Sequence, residues 1–318
     1  MDKLIVLNSQ NDLETSLDYF QGINSDLTNI VSTYLKNFLS DNTRSAYTTD
    51  FLDFALFLDN EKIVIRGPHE ITRDHIIDYR DSILEVYAPN TISRKLSSLS
   101  SLFKELINAK LMNENPVTGI KRPQAISIRP KTGLTDLEIN QICDFYDGVS
   151  IQSLQNKTLL TFLSFTGCRI SEVVGIKVSD IRSENDIKVV IINGKGSKIR
   201  KIPLNPKLWI VLKELISRRN KIEDEYIFTA VQKKFSSPIR RNSVHEMLKK
   251  TLLALNMDID KTLHSFRRSV ISNLLENGHR IESVADVSGH SNINTTKGYL
   301  VREEKMEDNP LLSLNFKN

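Results

Sequence analysis

The segment DIKVVIINGKGSKIRKIPL, residues 186–204, decides the fold class, because it carries strand patterning inside a chain written mostly in helical periods. Apolar residues alternate on both sides of Gly194-Lys195-Gly196-Ser197. Two such runs around a glycine-containing turn predict an antiparallel hairpin. The flanking segments read as helices. Upstream lie LTDLEINQIC, with Thr135 as its N-cap, then LLTFLSFTGC and SEVVGI. Downstream lie LWIVLKELISRR, SVHEMLKKTLLAL and SFRRSVISNLLENG, each with apolar residues at helical spacing. Residues 134–318 are therefore predicted to be an α+β domain with a small antiparallel sheet.

Toward the N-terminus, residues 120–133 (IKRPQAISIRPKTG) hold two prolines, four basic residues and no acids. They read as an extended interdomain linker that either follows a phosphate backbone or simply crosses the surface. Residues 28–119 read as all-helical. Ile30, Tyr34 and Phe38 mark one helix. Ser40, Asp41 or Asn42 starts a second, which carries Tyr47, Phe51, Phe54 and Phe57. Thr72 caps a third, and Pro89-Asn90-Thr91 opens a fourth that ends before NENP. Residues 1–27 form an N-terminal extension. The expected architecture is mainly α, in two domains.

Composition narrows the class. Of 318 residues, 40% are hydrophobic and 26% charged, the mix of a soluble globular protein. No apolar run approaches the ~20 residues needed to cross a bilayer. The start, MDKLIVLNSQNDLE, has only a short apolar stretch followed by acids, unlike a secretory signal. Cys143 and Cys168 are the only cysteines, too few for a disulfide framework or a zinc site. A cytoplasmic protein with no membrane partner is expected. The net charge of +4 is unevenly spread: residues 1–123 hold 13 basic and 17 acidic side chains, and the remainder holds 30 and 22. A basic C-terminal part suits a polyanion such as nucleic acid.

That part also holds the candidate chemistry. TGCRISEVVGI contributes Arg169, the hairpin tip Lys195, and an HxxR pair His264 and Arg267. GHSNINTTKGYL contributes His290 and, nine residues on, Tyr299. Arginines present fixed forks of N–H donors to phosphate oxygens, histidines titrate near neutrality, and a tyrosine can attack phosphorus. Together they can surround one phosphodiester. Glu172, one helical turn after Arg169, can hold it in place. Each residue also has a plainer reading: Arg169–Glu172 as a surface pair, Lys195 as a solvated turn lysine, the histidines as structural. Lys198, Arg200 and Lys201 read as contacts to DNA phosphates or to solvent. Neither a metal-ligand pattern nor a nucleotide-binding loop is present.

The joint order Arg, Lys, HxxR, His, Tyr resembles the tyrosine recombinase (phage integrase) family, nearest its compact Xer-like members. TGCRISEVVGI, INGKGSKIRKIPL, LHSFRRSVISNLLENG and GHSNINTTKGYL match its catalytic part. NTRSAYTTDFLDFALFL and NTISRKLSSLSSLFKEL are similar to its core-DNA-binding helices. Cys168 stands where the family often has leucine, and Arg268 where Xer-like members often have a second histidine.

The resemblance implies a C-shaped clamp on duplex DNA and a catalytic set of Arg169, Lys195, His264, Arg267, His290 and Tyr299. It implies a 3′-phosphotyrosine intermediate and a Holliday junction, with no metal or other cofactor. Arg44, Arg94 and Lys95 are the expected phosphate or base contacts of the N-terminal helices. The expected partners are a double-stranded recombination site, three further copies of the chain, and an accessory DNA-bending protein or second recombinase. The apolar tail residues Leu311, Leu312, Leu314 and Phe316 are the expected coupling patch of that tetramer. Two alternatives stand beside this reading: a type IB topoisomerase-like enzyme and a non-catalytic DNA-binding regulator.

Overall fold

A computed structural model describes residues 25–124, 133–194, 199–220, 225–230, 237–290 and 292–299, with side chains from residue 29. Lys195, Lys198 and the tail after Tyr299 lie outside the described residues. The chain divides into two compact units, Met1–Ile128 and Arg129–Asn318. It is mostly helical with one small antiparallel sheet.

The first unit contains α1 (Ser25–Lys36), α2 (Asp41–Asn60), α3 (Arg73–Ser82) and α4 (Pro89–Asn108). Ser40 is the N-cap of α2. Thr72 caps α3 by accepting from the His75 amide. Pro89 opens α4, where a missing N–H costs nothing. Phe51, Phe54, Ala55 and Leu58 repeat at helical spacing on α2, as do Ile92, Leu96, Leu99 and Phe103 on α4, and all are buried in one core.

Within this unit the three expected DNA contacts, Arg44, Arg94 and Lys95, each have partners inside the protein. Lys95 is only 2% exposed. Its ammonium lies 2.8 Å from Asp53 and 3.4 Å from the fully buried Asp50, and it sits over the Tyr87 ring. It is part of the core. Arg94 is half-exposed but paired with Asp50. Arg44 donates to the carbonyls of Leu35 and Phe38, closing the α1–α2 connection. Tyr79 donates to Asp53 at 2.9 Å, and burial followed by that carboxylate pushes its hydroxyl well above the ordinary tyrosine range. Removing Lys95 takes the ammonium from Asp53 and leaves the buried Asp50 with Arg94 as its remaining ion-pair partner among the described residues. Lys95→Met is therefore expected to lower urea stability by about 3 kcal/mol, while the folded protein keeps its affinity for random-sequence duplex. A phosphate-contacting lysine would give the opposite pattern: unchanged stability and a shallower salt dependence.

The second unit runs α5 (Asp136–Asp144), α6 (Ile151–Thr166), α7 (Ile170–Val173), β1 (Ile181–Glu184), β2 (Ile187–Asn193), β3 (Ile199–Pro203), α8 (Pro206–Arg218), α9 (Arg241–Ala254), α10 (Leu263–Glu276), α11 (Ile281–Ser288) and α12 (Ile293–Lys297). Thr135 and Glu138 form a reciprocal capping box at α5. β2 pairs antiparallel with β3, Val190 opposite Ile202 and Ile192 opposite Arg200. β1 adds a third strand that the hairpin reading did not include. Its turn places Asn185 and Asp186 both at positive φ, the conformation that matches the twist of a two-residue hairpin. Val190, Ile192 and Ile202 enter a core shared with Leu159, Leu163, Leu208, Leu212 and Phe266. Among the described residues, no helix is long and apolar enough to cross a membrane.

Candidate active site

Two glycine-ended helices shape the site. Helix α6 stops at Gly167 and α11 at Gly289, both in the left-handed region at φ +59° and +65°, where a side chain is strained. Close approach matters as well. A Cβ on Gly167 would sit 3.2 Å from Val270 of α10, and one on Gly289 would overlap the Arg200 guanidinium.

The chain then turns into Arg169, which caps α7. Its amide donates to Glu172 Oε2 at 2.8 Å and its Nη1 to Oε1 at 3.1 Å, as their spacing predicts. Both Nη atoms also donate to the Gly289 carbonyl, at 3.3 and 3.2 Å.

From α10, Arg267 enters fully buried. It donates Nη1 to the Gly167 carbonyl at 2.8 Å and Nη2 to the Ser288 carbonyl at 2.6 Å. Its Nε has no hydrogen-bond partner among the described residues. Burial, then the nearby Arg169 charge, lowers its pKa from the ordinary arginine value. A buried cation with an unused donor is well suited to an incoming anion.

His264 lies one turn earlier on α10, with its side chain exposed. His290 follows Gly289. Its Nδ1 is 2.7 Å from Thr296 Oγ1, and its ring stacks on Tyr299 with centroids 5.9 Å apart and planes 20° from parallel. Burial and then the charges of Arg267, Arg169, His264 and Arg200 push the imidazole pKa down to about 4. The sign follows directly: the unfolded histidine takes up its proton near ~6.5, and the folded one waits until about 4. Acidification across that window therefore favours the unfolded chain. In an NMR titration of the free protein, the His290 ring proton should stay put until pH falls toward that value. A midpoint near ~6.5 would contradict this electrostatic picture.

Arg200, one of the expected DNA contacts, lies beside Glu172 and Cys168. It donates Nη2 to Glu172 Oε2 at 2.8 Å and Nη1 to Oε1 at 3.2 Å, and it lies 3.7 Å from Cys168 Sγ. Strand alternation carries the reason, because Arg200 shares a face with the buried Ile202. Burial opposes ionisation of Glu172, but its bonds from Arg200 and Arg169 outweigh it and hold the carboxyl below its ordinary pKa. The carboxylate thus ties two guanidinium groups together.

Five of the six expected residues, Arg169, Arg267, His264, His290 and Tyr299, therefore act on one another electrostatically or by contact. They come from the α6–α7 turn, α10 and the segment around α12. Sequence reasoning missed Thr296 and the acceptor carbonyls of Gly167, Ser288 and Gly289. Among the described residues, no three His, Cys, Asp or Glu side chains gather as a metal site requires.

Comparison with known proteins places the chain in a family. The phage integrase family matches residues 133–306, and the phage integrase N-terminal SAM-like domain matches residues 32–110. A tyrosine recombinase of Pseudothermotoga lettingae is 31% identical over 274 residues, covering 85% of this chain and 91% of that one. Tyrosine recombinase XerD of Halalkalibacterium halodurans is 31% identical over 279 residues, covering 85% and 90%. In fold, the chain is similar to XerH recombinase in a post-cleavage complex with palindromic difH DNA. The TM-score is 0.71 at 18% identity, over 96% of this chain and 88% of that one. Family match, relatives and fold converge, and the chain belongs to the phage integrase family as a Xer-like tyrosine recombinase.

Proposed function

We propose that the chain cuts and rejoins DNA at a specific site through a 3′-phosphotyrosine intermediate and a Holliday junction. The observation that carries this reading is the gathering of Arg169, Arg267 and His290 beside Tyr299. In the proposed step Tyr299 Oη attacks the scissile phosphorus and loses its proton to His264. The P–O5′ bond breaks, and Lys195 protonates the leaving 5′-oxygen. Tyrosine has an ordinary pKa near ~10 and needs a base at neutral pH. Arg169 and Arg267 stabilise the charge on the five-coordinate phosphorus, with ~3–4 kcal/mol lost per such donor removed. His290 donates to a phosphate oxygen. The phosphodiester's free energy is kept in the covalent link, so attack by another strand's 5′-hydroxyl rejoins DNA without ATP.

Residues 28–119 and 134–318 would grip opposite faces of the duplex, joined by residues 120–133, in the cytoplasm. Four protomers on two paired sites would be coupled by Leu311, Leu312, Leu314 and Phe316. An accessory DNA-bending protein or a second recombinase fits the same scheme, as do integration, excision and replicon dimer resolution.

The test is covalent capture. Sheared chromosomal DNA of the source organism is incubated with the protein in EDTA, and protein-linked fragments are recovered under denaturing conditions and sequenced. Enrichment of one inverted-repeat sequence, joined through its 3′-phosphate, is expected. No adduct at all would reduce the protein to a DNA-binding regulator. Adducts scattered over all sequences, with relaxation of a supercoiled plasmid lacking the site, would identify a type IB topoisomerase-like enzyme.

A further inference from the structure

Thr296 is buried, and its hydroxyl stands 2.7 Å from His290 Nδ1. Other buried threonines in this protein settle their hydroxyl hydrogen on the carbonyl four residues back: Thr158 on Leu154, Thr166 on Phe162 and Thr48 on Arg44. The carbonyl four residues behind Thr296 belongs to Asn292, the N-cap of α12, and it accepts from the Thr295 amide at 3.0 Å instead. Among the described residues, its hydroxyl is bonded to the His290 ring alone. A buried hydroxyl must place its hydrogen somewhere or lose a hydrogen bond outright. The acceptor on hand is Nδ1. An Nδ1 that accepts carries no proton, so a neutral ring must hold its proton on Nε2.

We infer that Thr296 is a positioning residue that fixes His290 as the Nε2–H tautomer, so that Nε2–H is the donor offered to the scissile phosphate. The inference deepens the proposed function and rests on its reading of His290 as a phosphate ligand. Burial and the surrounding cations keep the ring neutral in the free protein. A doubly protonated imidazole could donate from either nitrogen, whereas a neutral one has a single donor and its place matters. The same residue also ties down the nucleophile, since the Tyr299 amide donates to the Thr296 carbonyl at 3.0 Å. One threonine therefore sets the proton on one group and the backbone of the other.

The ring nitrogens report the tautomer directly. In protein labelled with ¹⁵N at histidine, with His290 assigned by its loss in His290→Gln, Nδ1 should show the unprotonated shift and Nε2 the protonated one at pH 7. Thr296→Val keeps the shape and removes the hydroxyl, and should leave a mixture of tautomers. Thr296→Ser should restore the wild-type spectrum. Cleavage is read in single turnover on a nicked duplex of the sequence recovered by covalent capture. It should slow on the order of tenfold in Thr296→Val and recover in Thr296→Ser, with duplex binding unchanged. A wild-type His290 protonated on Nδ1 would overturn the inference. So would slower cleavage by Thr296→Val with the tautomer intact, because that marks a packing role only. Adduct formation by Tyr299→Phe would instead strike the functional reading and leave the ring measurement standing.

Discussion

Tyr299→Phe should abolish the covalent protein–DNA adduct, a loss on the order of 10⁵-fold or to the detection limit, as for removal of any enzyme's attacking group. Duplex binding should stay near wild type. The phenyl ring can keep its stack on His290 at 5.9 Å, and only the oxygen that attacks phosphorus is gone. A purified mutant that still forms the adduct would move the nucleophile elsewhere, and the structure makes the substitutes poor ones. The Tyr146 hydroxyl is tied to Thr251 at 2.7 Å, and burial raises its pKa. Tyr226 pairs with Lys177, whose ammonium sits 5.6 Å above its ring. Denaturing gel mobility of labelled DNA, compared with mobility of the native complex, separates the two effects.

Arg267→Ala is expected to slow adduct formation by 10²–10³-fold, the roughly 3–4 kcal/mol of one preorganised donor at a developing negative charge. Its effect on folding should be much smaller, because two terms oppose. The Gly167 and Ser288 carbonyls lose the donors now at 2.8 and 2.6 Å, at about 1–3 kcal/mol for each acceptor left dry. Against this, a buried cation that Arg169 and desolvation already destabilise is removed. Urea unfolding and adduct kinetics on the same preparation give the ratio. If activity falls only in proportion to the unfolded fraction, Arg267 is structural and its place in the chemistry is lost. Arg267→Lys is expected to recover little, since one ammonium cannot reach two carbonyls and a phosphate with the fixed fork of a guanidinium.

Helix starts were legible because their signals are local. Thr72 and Thr135 accept from amides three residues on, while Ser40 and Pro89 mark the starts of α2 and α4 by residue type alone. β1 was not legible as a strand. IRSE is four residues long and three of them are polar, so no apolar alternation marks it. The carboxylate partners of Lys95 and Arg200 were not legible, for a shared reason. Lys95 is three residues after Ile92 and four before Leu99, on the buried face of α4, yet charge alone argued for the surface. The Asp50 that justifies its burial is 45 residues away. Glu172, which redirects Arg200, is 28 residues away. Such pairings are tertiary facts, and no periodicity contains them. The candidate site was legible as a set of side chains because its spacing is ordered along the chain. Thr296 was not, since nothing local separates it from Thr295.

Gly167, Ser288 and Gly289 hold Arg267 and Arg169 through carbonyl oxygens, which every amino acid has. The placement of the two guanidinium groups is thus encoded in the path of the main chain. Two glycine turns, at Gly167 and Gly289, set that path. Substitutions at neighbouring side chains can therefore leave the two guanidinium groups in place, so long as the turns at Gly167 and Gly289 keep their course.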